Sequence, residues 1–228
     1  MISAHIGMKV MREREPARRR GRPLARTPSA APRRIPQQER SRVRVDAILR
    51  AARRLIGEHP EASMREIAAA ARVPIASVYQ YFPDKTAVLR RLVLEFYERM
   101  RGRLEIALPF VNHPDDIPAF FDAMIDGLVV ELGAARSHLN IWSLAQSSPL
   151  LRELDLKDAL ALADLLCARF EAIAPAVDRE GMRDACVFAV VIAGPVVRQS
   201  FLMPPGEGER VLRELKALIR LRVASLRA

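Results

Sequence analysis

The sequence predicts an all-α protein of about nine helices, because apolar residues recur at helical spacing in segment after segment. Two further observations agree. Gly133, Ser148-Pro149, Pro175 and Pro204-Pro205-Gly206 separate the apolar segments, and no run with the period of two that a strand needs competes with them. Half of the 228 residues are apolar, enough for a substantial core. No apolar run approaches bilayer length, so no membrane partner is expected.

Charge divides the chain unevenly. Residues 1–44 carry 13 Lys or Arg against 3 Glu, while the remainder holds 24 of each sign, so the net +10 lies wholly in that stretch. Residues 1–41 are rich in proline, lack apolar periodicity and are expected to form a basic, disordered arm. Such an arm attracts phosphate polyanions whatever their sequence. Within it, Arg20-Gly21-Arg22-Pro23 resembles the core of an AT-hook, with Arg20 and Arg22 as candidates for a narrow A·T minor groove; general phosphate attraction is the plainer alternative. Met8 and Met11 offer alternative starts.

The first predicted helix, residues 42–58, carries Val45, Ile48, Leu49, Ala52, Leu55 and Ile56 on one face. The next stretch organises the chain. Ser63 and Glu66 have the spacing of a capping box, and Ile67, Ala68 and Ala71 form one narrow face of a short helix over residues 63–71. Arg72 and Val73 make a turn, after which Pro74 suits the first position of a second short helix over residues 74–82. Val73, Val78 and Phe82 turn inward, leaving Ile75, Ala76, Ser77, Tyr79, Gln80 and Tyr81 on the outer face and its edges. Two tyrosines, a glutamine and a serine in five residues, with no lysine or glutamate among them, make a face built for contact. Two helices joined by a tight turn describe a helix-turn-helix, whose second helix enters the DNA major groove.

The run Ser77-Val78-Tyr79-Gln80-Tyr81-Phe82 followed by Lys85 resembles the recognition-helix signature of the TetR family of bacterial transcriptional regulators. In that family a Thr or Ser, an aliphatic, a Tyr, any residue, a Tyr or His and a Phe precede a Lys near the start of helix four. The match covers residues 45–89. Arg72 stands where the family usually has Gly, so the turn asks a left-handed conformation of an arginine. Pro74 stands where the family often has Ser. The resemblance implies a homodimer on a double-stranded palindromic operator, released by a small-molecule inducer, with Lys85 on a phosphate. Arg65, Ser77, Tyr79 and Tyr81 join Lys85 as phosphate candidates, while Ile75, Ala76 and Gln80 lie nearest base edges; Gln80 suits adenine, and Ile75 or Ala76 a thymine methyl.

A long helix over residues 85–107, capped by Asp84, starts in the DNA-binding domain of residues 42–88 and ends in a helical ligand-binding and dimerisation domain of residues 89–228. Asp115-Asp116 open the next helix, where negative charge and capping favour the amino end. Helices follow over residues 117–132, 138–144, 150–172, 179–201 and 207–227. The segment 186–201 is almost continuously apolar before Arg198, and Pro195 is expected to kink it or interrupt one backbone bond. With the last helix, which carries Leu215, Leu218, Ile219 and Val223, it has the surplus apolar surface that a two-fold dimer uses; packing within one chain is the competing account.

Phe120, Phe121, Met124, Trp142, Phe170 and Phe188 are candidates to line a ligand pocket, with Arg136, His138, Asn140 and Gln146 near Trp142 as polar partners. Ordinary core packing is the alternative for each aromatic. Cys167 and Cys186 lie in apolar patterns and suggest buried thiols in a reducing cytoplasm. There is no GxxxxGK, HExxH or GxSxG and no zinc-spaced Cys/His cluster, so no enzyme, cofactor or metal is expected. The leading reading is a ligand-responsive DNA-binding transcriptional repressor. The alternatives are a weakly specific architectural DNA-binding protein dominated by the arm, and an all-helical enzyme with a vestigial helix-turn-helix.

Overall fold

A computed structural model describes residues 37–133, 136–204 and 206–226. Arg20 and Arg22 lie outside them. Among the described residues there are nine α-helices and no strand: α1 (Gln37–Glu58), α2 (Met64–Ala71), α3 (Ile75–Tyr81), α4 (Lys85–Ala107), α5 (Asp116–Gly133), α6 (Arg136–Gln146), α7 (Pro149–Ile173), α8 (Arg179–Ser200) and α9 (Glu207–Ser225). None is long and apolar enough to cross a membrane.

Helix α1 begins five residues before the expected Arg42, and its core-facing Ile48, Ala52 and Ile56 are fully buried. It packs on α2 and also on α6. The expected division at residue 88 therefore does not interrupt the packing: one apolar core runs from Ile48 through Leu92 and Trp142 to Val223. Helix α4 has the bounds expected for it, with Asp84 accepting the N–H of Ala87 at 2.7 Å. A 3₁₀ turn (Leu108–Phe110) follows it.

The start of α5 corrects one expectation. Asp116 does not cap that helix; its Oδ2 accepts the N–H groups of Asn112 at 3.0 Å and His113 at 2.9 Å and ties back the preceding loop. Those two backbone bonds hold its carboxyl below the usual range.

Helices α7, α8 and α9 pack in sequence, and α5 lies against α8 and α9. Phe120 and Phe121 of α5 and Phe170 of α7 meet edge to face at 5.6–6.2 Å, an arrangement worth about 0.5–1.5 kcal/mol per pair beyond burial. Gly208 lets α9 approach α8, because a Cβ there would lie 2.2 Å from the carbonyl oxygen of Ser200. Cys167 and Cys186 are both buried. Burial, aided by the Cys167 thiol donating to Glu171 Oε1 at 3.0 Å, pushes Cys167 up to about 12, and burial pushes Cys186 up as well. Helix α8 runs through Pro195, which has no N–H to offer the carbonyl of Val191 one turn back.

Candidate nucleic-acid interface and ligand cavity

The helix-turn-helix is fixed by local chemistry first. Ser63 is the N-cap of α2: its Oγ accepts the N–H of Glu66 at 3.3 Å, and its own N–H donates to Glu66 Oε2 at 2.7 Å. The Ser63 hydroxyl, donating to Glu66 Oε2 at 2.6 Å, and after it the Ser63 N–H lower the Glu66 pKa. Arg72 ends α2 in the left-handed region, at φ 57° and ψ 40°, with its N–H on the carbonyls of Ala68 and Ala69. It is the positive-φ residue other than glycine among those described, and the conformation costs an L-residue roughly 1–2 kcal/mol. Pro74 sits one position earlier than expected, as the N-cap of α3, where its carbonyl accepts from Ser77 and Val78.

Val78 is fully buried, Phe82 is buried, and Val73 packs at the edge of the core, so the inner face of α3 is as predicted. On the outer face Tyr79 is 50% exposed, and Ala76 and Gln80 are exposed too. Arg65 is exposed on α2. Ser77 is half-buried, and Ile75 is partly buried against the core rather than wholly outside. Two candidates already have partners: the Tyr81 hydroxyl donates to Ser41 Oγ at 3.2 Å, and Lys85 Nζ donates to the carbonyl of Pro60 at 2.6 Å.

In the body of the chain, α4, α5, α6, α7 and α8 line a half-open cavity of about 260 Å³. Of the pocket candidates, Met124 and Trp142 line it. Phe120, Phe121 and Phe170 do not, because they close on one another. Phe188 does not either; it is 41% exposed in an outer groove with Leu218 and Leu221. The aromatic wall instead comes from α4, whose Phe96 and Tyr97 meet Trp142 edge to face at 5.3 and 5.5 Å. Neither is among the pocket candidates read from the sequence.

The polar candidates divide as well. Gln146 reaches the cavity and donates to Asp155 Oδ2 at 3.1 Å. Asn140 donates to the carbonyl of Gly57 at 2.6 Å, and His138 Nδ1 lies 2.7 Å from the carbonyl of Glu131, so both are engaged elsewhere. The side chain of Arg136 lies outside the described residues. Asp155 also accepts the Tyr97 hydroxyl at 2.8 Å; burial, with Asp155 beside it, pushes the Tyr97 pKa up. Arg198, missed at first, has its guanidinium 4.8 Å from the Trp142 ring centre. The one signal for it in the sequence is a charge closing a long apolar run.

Together these features define a helical DNA-binding regulator with a half-open cavity in its body. Residues 48–92 match the family described as bacterial regulatory proteins, tetR family, and residues 115–224 match the tetracyclin repressor-like C-terminal domain. Together these spans cover well over half of the chain, which belongs to the TetR family of transcriptional regulators. Over 63 residues the chain is 39% identical to the HTH-type transcriptional repressor LfrR of Mycolicibacterium smegmatis, a span of 28% of this chain and 33% of that protein. A TetR-family regulator from Streptomyces coelicolor shares the fold at TM-score 0.63 and 24% identity, covering 82% of this chain and 98% of that one. A TetR regulator from Rhodococcus sp. RHA1 gives 0.57 and 18%, covering 81% and 97%.

Proposed function

We propose that the protein is a homodimeric repressor that binds a palindromic operator through α2 and α3 and leaves it when a small molecule occupies the cavity. Residues 42–88 are the reading head and residues 89–228 the ligand-binding and dimerisation body. The observation that carries this reading is the outer face of α3, where Tyr79 and Gln80 stand exposed without partners among the described residues while Val78 and Phe82 anchor the helix from behind. Ala76 and Gln80 meet base edges, Ile75 contributing only its exposed rim, and Arg65, Ser77 and Tyr79 meet phosphates. Tyr81 and Lys85 exchange Ser41 and Pro60 for phosphate oxygens on binding. The basic arm, with Arg20 and Arg22, adds salt-sensitive affinity.

Dimerisation uses the outer groove of α8 and α9, where Phe188, Leu218 and Leu221 expose apolar surface. It sets two reading helices at the roughly 34–36 Å half-site separation of the major groove. Helix α6 supports the coupling: Trp142 is cavity wall, and Asn140, two residues earlier, holds the end of α1 through Gly57. A displacement of α6 or α4 by ligand disturbs the head, and by linkage operator and ligand weaken each other equally. The protein acts in the cytoplasm.

The test is fluorescence anisotropy of the full chain on DNA from upstream of its own gene, with scrambled competitor. A preference of roughly a thousandfold, the low end for specific binders, is expected. Unselective binding that vanishes when residues 1–36 are removed would instead assign the affinity to the arm.

A further inference from the structure

The cavity has an imbalance of paired and unpaired groups. Of the two carboxylates on its wall, Asp158 is neutralised by Arg101 at 2.6 Å, and Asp155 accepts from both Tyr97 and Gln146. Two cations share the wall. Arg152 is exposed, with only a long 3.5 Å contact to the carbonyl of Gln146 among the described residues. Arg198 is half-buried and has no hydrogen bond or ion pair among the described residues; its guanidinium lies over the face of Trp142. Trp142 is itself only 7% exposed, and its indole N–H is the buried side-chain donor left without a partner among the described residues. Burial lowers the Arg198 pKa, against the pull of Asp155 and Tyr97, so the guanidinium is short of the solvation it would have in water. A planar guanidinium stacked on an aromatic face keeps its edge donors free for a fork of two acceptors.

On the reading that this cavity is the effector site, the geometry points to an amphipathic organic acid as the ligand, its carboxylate received by Arg198 and its apolar body lying among Met100, Met124, Leu162 and the aromatic wall. An acid supplies the acceptor pair that Arg198 lacks. A cationic ligand would leave Arg198 unpaired and would add like charge beside it.

Trp142 is the only tryptophan in the chain, so its emission reports the cavity directly. The full chain is titrated with three probes of one shape, phenylbutanoate, phenylbutanol and phenylbutylammonium, read by Trp142 emission and by calorimetry. Phenylbutanoate is expected to bind at least roughly tenfold tighter than the alcohol, the worth of one charge-assisted hydrogen bond. Arg198→Met removes that difference, and Arg198→Lys, which keeps the charge without the fork, retains part of it. Equal affinity for all three probes, tightest binding of the ammonium, or an acid preference that survives Arg198→Met overturns the assignment while leaving the cavity as effector site. If no probe binds, the effector-site reading falls with it.

Discussion

Helix α3 and the cavity wall both present polar groups with no hydrogen-bond partner among the described residues, in opposite surroundings. Tyr79 and Gln80 face solvent, where water satisfies them until DNA replaces it, so their readiness costs the fold almost nothing. Arg198 lines a mostly apolar hollow beside Trp142, whose buried indole N–H has no partner among the described residues, and a buried donor left unmade costs about 1–3 kcal/mol. The reading surface is thus stable as it stands, whereas the cavity holds a local deficit that a matching ligand relieves. The difference teaches where stability and function conflict in this chain: in the body, hardly at all on the outer face of α3.

That comparison can be broken at several points. The largest effect is expected from Phe121→Ala, which empties a fully buried position outside the cavity and should lower stability by about 3–5 kcal/mol in chemical denaturation. Because Phe121 does not line the cavity, probe affinity measured on the folded fraction should hold; its loss would mean the aromatic trio shapes the ligand site after all. Tyr79→Ala should remove the roughly thousandfold operator preference. Its unfolding free energy should stay within about 0.5 kcal/mol of the parent, as for other surface changes; a larger loss would make Tyr79 a structural residue and erase the contrast. Arg198→Met should work in the opposite direction, raising stability by about 0.5–1 kcal/mol by removing a half-buried unpaired charge, and a fall in melting temperature would deny the deficit.

Smaller effects come from the turn and the cap. Arg72→Gly should stabilise by roughly 0.5–1 kcal/mol, the relief of a left-handed arginine less the added freedom of glycine in the unfolded chain. Glu66 has a folded-state pKa below its unfolded value. Its stabilising contribution is therefore complete above the ordinary carboxylate range and lost as pH falls through the depressed folded value. Ser63→Ala should flatten that acid limb of the stability curve, and an unchanged limb would show that the cap pair plays no part in it.

The head was nearly all legible in the sequence because its determinants are local. Ser63 and Glu66 are three residues apart, Arg72 stands beside its turn, and Val78 and Phe82 share a face by spacing alone. Its misreadings are of the same local kind, such as Pro74 displaced by one position. Asp116 fits the same lesson, since the rule for helix starts pointed it forward while the loop behind offered two better-placed amides. The cavity was only half legible because its walls come from helices far apart in the chain. Met124 and Trp142 were found, but size alone also selected Phe120, Phe121 and Phe170, and nothing local says that those three close on one another. Tyr97 and Asp155 are 58 residues apart, a pairing that no periodicity reveals. Arg198 carried a visible anomaly, a charge at the end of an apolar stretch, whose meaning depended on the ring lying beneath it.

The two cysteines lie on α7 and α8, and burial keeps both thiols protonated. Only thiolate is alkylated, so a folded molecule is close to inert toward iodoacetamide, and labelling proceeds mainly when these helices part. The chain thus carries an internal clock for its own opening, and the labelling rate with and without a bound probe would time how far occupancy of the cavity holds the body shut.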